Sequence, residues 1–253
     1  MIQRVIINAD DFGLSSDENR TIISAFQQGL ISSATLMANM PAFEEACALA
    51  RQHGLQGRIG LHFNLTYGRP LSAAIRRQPR FCNAAGEFDL HLPRHQLWLP
   101  APTRRAIEAE LQAQWQRCLE HGVRPSHIDS HQHVHNILPV GEVVARFAAR
   151  QGVPLRLARN LGRNINLPKR LFKAWLNGRL RRLAPASADH VCTPLDLHHG
   201  LLPDHGVLEV IAHPYPLRQG FGDAYLEDEL SLGEVLARRL DGVPRIAYSA
   251  LAQ

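Results

Sequence analysis

Short apolar runs alternate along this chain with segments of helical periodicity. Residues 4–9 read as one short apolar run, which predicts a strand buried on both faces, as in a parallel sheet. Ser15 and Glu18 form a capping-box pattern for a helix that runs to Gln28, with Gly29 as its stop. Residues 33–37 read as a second strand and residues 41–53 as a second helix, opened by Pro41 and closed by Gly54. Residues 59–65 alternate cleanly: Ile59, Leu61, Phe63 and Leu65 face one way, and Gly60, His62 and Asn64 the other. The clearest helix covers residues 103–121, its stripe built from Ile107, Leu111, Trp115 and Cys118 or Leu119. Further helices are expected over 139–150 and 231–240, and further strands over 127–135, 153–158, 206–214 and 246–249. Strand and helix alternate about seven times with no internal repeat. That order predicts an α/β fold: a single-domain, deformed parallel (β/α) barrel spanning 1–253.

Two stretches break the pattern. Residues 66–102 have no sustained periodicity and carry Pro70, Pro79, Pro93, Pro100 and Pro102, which predicts a loop insertion near the mouth of a site. Residues 168–184 predict a basic amphipathic helical segment. Leu171, Phe172, Trp175, Leu176, Leu180 and Leu183 recur at three- and four-residue spacing, and Lys169, Arg170, Lys173, Arg179, Arg181 and Arg182 fill the rest. The expectation is that this apolar stripe covers its own domain while the charges face water. Docking on an anionic membrane surface is the disfavoured alternative. No recognition motif supports nucleic acid as a partner.

Composition narrows the class. The chain is 45% hydrophobic and 20% charged, as expected of a globular protein, and no apolar run is long enough to span a bilayer. The N-terminal residues lead straight into a strand-like run without a separable signal peptide, which predicts a cytoplasmic location. Cys47, Cys82, Cys118 and Cys192 lie far apart without a CxxC pair, which argues against a disulfide framework or a cysteine zinc site. The net charge of +5 is uneven: residues 143–188 hold eleven Lys and Arg and no Asp or Glu.

The chemistry concentrates in residues 127–135. His127, Asp129, His131, His133 and His135 occupy alternate positions, so an extended backbone would send all five to one face. Buried imidazoles and a carboxylate need partners, and together they bind a divalent transition metal or move protons. The first strand delivers Asn8, Asp10 and Asp11 at its C-terminal end, His62 lies on the small, polar face of its strand, and His213 ends a late strand. Polar groups at several strand ends are the arrangement of barrel active sites. One Asp with two His leaves coordination positions open for water, the pattern of a catalytic metal.

Four stretches, Asn8-Ala9-Asp10-Asp11-Phe12-Gly13-Leu14-Ser15, Gly60-Leu61-His62-Phe63-Asn64-Leu65-Thr66, His127-Ile128-Asp129-Ser130-His131-Gln132-His133-Val134-His135 and Glu209-Val210-Ile211-Ala212-His213-Pro214, carry a resemblance. In these the chain resembles the YdjC-like carbohydrate deacetylase family, which includes chitooligosaccharide deacetylases and a hopanoid-associated branch. The resemblance implies a barrel related to the polysaccharide deacetylases. It implies one divalent metal ion on Asp11, His62 and His131, with Asp10 as base and His213 as acid. By family resemblance the ion is Mg²⁺; by ligand chemistry Zn²⁺ or another transition metal fits two imidazoles better. Asp129, with His133 or His135, is expected to orient ligands from behind, and Asn64 and Arg159 to support the site or meet substrate. The implied reaction removes an N-acetyl group from an amino-sugar-containing carbohydrate, oligosaccharide or glycolipid, and releases acetate; a homodimer is a candidate assembly on the same ground. Residues 66–102 and the basic segment depart from the chitooligosaccharide members, which leaves the acetylated substrate open. Two rival readings stand beside this one. One is a phosphoesterase that holds phosphate with Arg159 and the basic segment. The other is a non-catalytic metal- and sugar-binding protein.

Overall fold

In the computed structural model, which describes residues 2–227 and 230–251, the first apolar run forms β1 (Arg4–Phe12). Met1, Asp228, Glu229, Ala252 and Gln253, included in the expected 1–253 domain, lie outside the described residues. There follow α1 (Ser16–Gln27), β2 (Ser33–Leu36), α2 (Phe43–Gln52), β3 (Ile59–Phe63), α3 (Ala73–Arg76), α4 (Ala101–Glu120) and β4 (Ile128–Ser130). The second half holds α5 (Leu138–Gln151), α6 (Leu167–Arg181), β5 (His190–Cys192), α7 (Pro194–His198), β6 (Val207–Ala212), β7 (Pro214–Pro216), β8 (Phe221–Asp223) and α8 (Leu232–Leu240). Two short 3₁₀ turns cover His131–Asn136 and Tyr248–Leu251.

Six strands form one parallel sheet in the order β4-β3-β2-β1-β6-β5. The apolar side chains of β1, with helices packed over them, make it a central strand. Ser15 caps α1 by accepting from the backbone N–H of Asp17 and Glu18, and Ser231 caps α8 by accepting from Glu234, as the sequence pattern demands. The segment between β4 and β5 curls the sheet toward closure: Leu155 bridges Ile128 on one side and donates to Ala186 on the other, and Asn160 donates to Val191.

Three expectations are corrected. Residues 153–158 form no regular strand, because Pro154 has no N–H and the side chain of Asn177 takes both the N–H and the carbonyl of Ala158 (2.9 Å each). The final strand stops after one bridge, Val5 with Arg245, where the chain turns so that Tyr248 N–H meets Ser33 Oγ at 3.2 Å. The apolar stripe of the basic helix covers its domain only in part: Leu176 and Leu180 are buried, whereas Leu171, Phe172 and Trp175 are exposed.

Residues 66–102 pack against α4. Ile75, Phe81, Phe88, Leu92 and Leu99 are buried, and the Glu110 carboxylate accepts from the N–H groups of Leu71 (3.0 Å) and Ser72 (2.6 Å). No helix among the described residues is long and apolar enough to cross a membrane.

Candidate active site

The end of β1 places two consecutive carboxylates. In a regular strand Asp10 and Asp11 would point to opposite faces. Here the register with β2 shifts between Ala9 and Phe12, and Asp11 takes a left-handed φ of 69°. This bulge re-aims Asp11. His213 Nε2 consequently lies 3.9 Å from Asp10 Oδ2 and 3.8 Å from Asp11 Oδ2.

His62 and Asp129 are register partners on β3 and β4, so their side chains share a face. His62 Nδ1 lies 2.7 Å from Asp129 Oδ1, and Thr35 donates to Asp129 Oδ2 at 3.0 Å. This leaves His62 Nε2 pointing at Asp11 Oδ1, 3.2 Å away. Burial works against charge on His62, but Asp129 and Asp10 outweigh it and hold the imidazole well above its ordinary value.

His131 arrives by a different route. The extended backbone expected over 127–135 ends at Ser130, and the chain turns through left-handed φ values at Gln132 (50°) and His133 (53°). Ser130 Oγ closes this turn by accepting from the His135 N–H at 3.1 Å. His131 Nδ1 sits 2.6 Å from Thr66 Oγ1, whose own hydrogen goes to Asn64 Oδ1 (3.2 Å). The Thr66 oxygen therefore accepts from His131 Nδ1–H, and Nε2 carries the lone pair. That Nε2 lies 3.9 Å from Asp11 Oδ1. Burial, with the His62 charge, pushes His131 down to about 4, so the ring is neutral near pH 7. Asp11 Oδ1 is buried, faces both Nε2 atoms and pairs with the charged His62. Burial opposes its ionisation, but contact with His62 holds the carboxyl below the usual range.

A second charged layer lies beneath. Arg156 is fully buried and grips Asp10 with two parallel bonds of 2.7 Å. It also reaches Asp129 Oδ2 at 2.6 Å and Glu209 Oε1 at 2.6 Å. Tyr248 donates to the other oxygen of Glu209. Burial opposes charge on Asp10, yet Arg156 and His62 keep it well below the usual carboxylate range. Burial dominates at Glu209 and pushes it up to about 7. His127 belongs to this layer: its ring stacks on Tyr248 (3.9 Å between centroids, 11°) and its Nε2 meets Asn8 Oδ1 at 3.0 Å. A Cβ on Gly60 would fall 2.5 Å from that ring, which explains glycine on the inward face of β3.

The sequence reading missed Arg156, Glu209 and Tyr248. A signal existed: Arg156 and Glu209 are lone charges inside apolar runs, and two opposite charges in buried positions imply each other.

The remaining expected residues sit around the edge. Asn64 shapes the turn under Thr66, its Oδ1 accepting from the N–H of Thr66 (2.9 Å) and Tyr67 (3.1 Å). His135 is buried against Ser130 Oγ (2.5 Å), and His133, driven by burial to about 3, stacks edge-on against it at 6.2 Å. His133 also feels the charges of Arg156 and Asp10, and the partner of the His62 Nδ1 is Asp129 alone among the acids. Asp196 holds one edge of the Arg159 guanidinium, through Nε (2.7 Å) and Nη2 (2.6 Å), and the side chain is partly exposed. Asp10, His62 and Asp129 also bring ligand atoms within 4.8 Å of one another and could hold a metal ion. Arg156 Nη1, however, already bridges Asp10 and Asp129, and a second cation there would meet its charge. A cavity of about 520 Å³ beside His131 is lined by Leu14, Ser15, Glu18, Met40, Pro41 and Tyr67.

A carbohydrate deacetylase of Geobacillus stearothermophilus is 47% identical over 154 residues, 61% of this chain and 59% of that protein. A chitooligosaccharide deacetylase of Serratia marcescens is 43% identical over 165 residues, 63% of this chain and 61% of that protein, so the match spans about three fifths of these relatives' length. A carbohydrate deacetylase of Halalkalibacterium halodurans is 31% identical over 240 residues, 93% of this chain and 95% of that protein. The fold is that of a crystal structure from Enterococcus faecalis V583, described as a candidate cellobiose-phosphate cleavage protein, with a TM-score of 0.72 and 24% identity over all of both chains. The model of the YdjC-like protein family matches residues 4–216. The chain belongs to the YdjC-like protein family.

Proposed function

We propose that this chain is a metal-dependent hydrolase that removes an N-acetyl group from an amino-sugar-containing carbohydrate and releases acetate. The observation that carries the reading is the convergence of His62 Nε2 and His131 Nε2 on one buried Asp11 oxygen. Each imidazole has its other nitrogen engaged, His62 by Asp129 and His131 by Thr66, which is how metal-ligating histidines are held. The names of the relatives, carbohydrate and chitooligosaccharide deacetylases, support the substrate class. A divalent ion on Asp11, His62 and His131 would acidify a water and polarise the acetyl carbonyl. Two imidazoles with one carboxylate suit Zn²⁺ or another transition metal better than Mg²⁺.

The chain's own groups divide the proton work. Asp10 stays ionised in the grip of Arg156, oriented to take a proton from the attacking water. His213 Nε2, close to both carboxylates, gives a proton to the leaving nitrogen as the C–N bond breaks, so that water, amide and proton shuttle balance to acetate and a free amine. The cavity beside His131, with the exposed ring of Tyr67 on its wall, would receive the sugar. The test is acetate release from N-acetylchitooligosaccharides by metal-stripped protein given Mg²⁺, Zn²⁺, Mn²⁺ or Co²⁺ in turn. Metal-dependent acetate that disappears in Asp11→Asn is expected. Full activity and metal content in Asp11→Asn would sink the assignment.

A further inference from the structure

We propose that α6 and the tip of the 66–102 segment form a docking surface for an anionic lipid bilayer. This is independent of the hydrolase reading. Nine large apolar side chains are exposed among the described residues, and six of them, Leu97, Trp98, Leu167, Leu171, Phe172 and Trp175, belong to these two segments. Leu97 and Trp175 line one shared cavity of about 490 Å³, which joins the segments into one patch. The helix is anchored by Leu176 and Leu180, with Phe172 at the edge of that face, and three residues occupy another side of it: Leu167 is 58% exposed, Leu171 62% and Trp175 51%. An isolated exposed leucine needs no explanation, but six clustered large side chains mark an interaction site.

The charge around the patch selects the partner. Residues 143–188 hold eleven cations and no carboxylate. Arg179 pairs with Glu142 and Arg181 with Asp189, whereas Arg163, Lys169, Arg170 and Arg182 have no carboxylate partner among the described residues. A second copy of the chain would bring these same cations together, which like-charge repulsion opposes. Nucleic acid offers the leucines nothing to stack on or to bury them. An anionic bilayer satisfies both halves: tryptophan and leucine enter the headgroup boundary while lysine and arginine meet lipid phosphates. Arg94 donates to the His133 carbonyl (3.2 Å), and Lys173 Nζ donates to the Arg159 carbonyl (2.6 Å). These bonds tie the patch to the loops that follow β4 and Arg156, on the strand-end side where Asp11, His62 and His131 lie.

Flotation of the full chain with phosphatidylcholine vesicles, with and without phosphatidylglycerol, tests the proposal. Binding should require phosphatidylglycerol and weaken as salt shortens the screening length. Lys169→Glu with Arg170→Glu should weaken it about fivefold for each cation removed. Leu171→Ser with Trp175→Ser should also release the protein, with only a small fall in melting temperature because both side chains are more than half exposed. Three results would overturn the proposal: no binding to either vesicle, binding that both double variants retain, or a dimer in sedimentation velocity that Leu171→Ser with Trp175→Ser dissolves.

Discussion

Thr66→Val is the sharpest probe of how the proposed metal ligands are held. Valine keeps the shape of threonine and removes one oxygen. That oxygen has two bonds: it donates to Asn64 Oδ1 at 3.2 Å and accepts from His131 Nδ1 at 2.6 Å. The first loss is mild, because Asn64 Oδ1 keeps the backbone N–H groups of Thr66 and Tyr67 and the turn persists. The second removes what fixes the His131 tautomer. A net hydrogen bond of about 0.5–1.5 kcal/mol no longer favours Nδ1–H over Nε2–H. That range alone corresponds to roughly two- to twelvefold in metal affinity, and loss of a ligand's supporting partner typically costs about 10–100-fold. A fall of about tenfold is therefore expected, with stability reduced by only about 1 kcal/mol because Thr66 is half-buried and water can replace part of the loss. Zn²⁺ competition against a chromophoric chelator near pH 7.5 measures the affinity, urea denaturation the stability, and ¹⁵N NMR the tautomer. The His131 charge does not confuse the result, since its value near 4 leaves it neutral in both proteins. Wild-type affinity in Thr66→Val, with His131 shown to have changed tautomer, would refute His131 Nε2 as a ligand.

Arg156→Met should reduce stability by about 3–5 kcal/mol, since it strands three buried carboxylates, a large fraction of an ordinary domain's stability. Its sign with pH is defined. In the native protein the depressed Asp10 value contributes stability above the usual carboxylate range, lost as pH falls through the folded value. In the variant the stranded carboxyls take up protons instead, so the gap from wild type should narrow between pH 7 and pH 4.5 in urea titrations; a constant gap would contradict the account. Metal affinity should fall about tenfold per pH unit on the acid side of His62, because a raised His62 must give up its Nε2 proton to bind. Calorimetry in buffers of different ionisation enthalpy should then count about one released proton, and a count of zero at pH 7 would remove His62. Gly60→Ala should cost about 1–3 kcal/mol by thermal melt, since its Cβ falls 2.5 Å from a His127 ring wedged by Tyr248; an unchanged melt would mean the ring moves freely.

The strands and helices with strong periodicity were legible because burial itself writes the pattern. β1, β3, α1 and α4 lie where alternation and capping put them. Residues 153–158 were misread because an apolar run reports burial and not backbone pairing; there the ladder is replaced by the Asn177 side chain. The outward apolar side of α6 was misread for a related reason. A stripe at helical spacing says that a face is apolar, and it does not say whether this chain supplies the cover. At the site, residue types were legible and roles only partly so. Alternation sends His127 and Asp129 to one face, as expected, but the left-handed turn at Gln132 and His133 breaks the series at Ser130. Left-handed φ at two non-glycine residues has no signature in a list of residue types.

The division of labour between Asp10 and Asp11 shows why such a turn matters. The two are chemically identical neighbours at the end of one strand, and alternation alone would separate them by a sheet's thickness. The bulge and the φ of 69° at Asp11 bring both to His213, while their partners differ. Asp10 spends its oxygens on a buried guanidinium, which holds it ionised and oriented and makes it a poor ligand for a second cation. Asp11 turns one buried oxygen toward two imidazole nitrogens, 3.2 Å from His62 Nε2 and 3.9 Å from His131 Nε2. In the metal-free site the raised His62 supplies the cation that Asp11 needs, and a divalent ion would take the place of its proton. The strain at Asp11 and the convergence of two imidazoles on its oxygen point the same way: β1 departs from regular geometry at a residue whose environment a metal would complete.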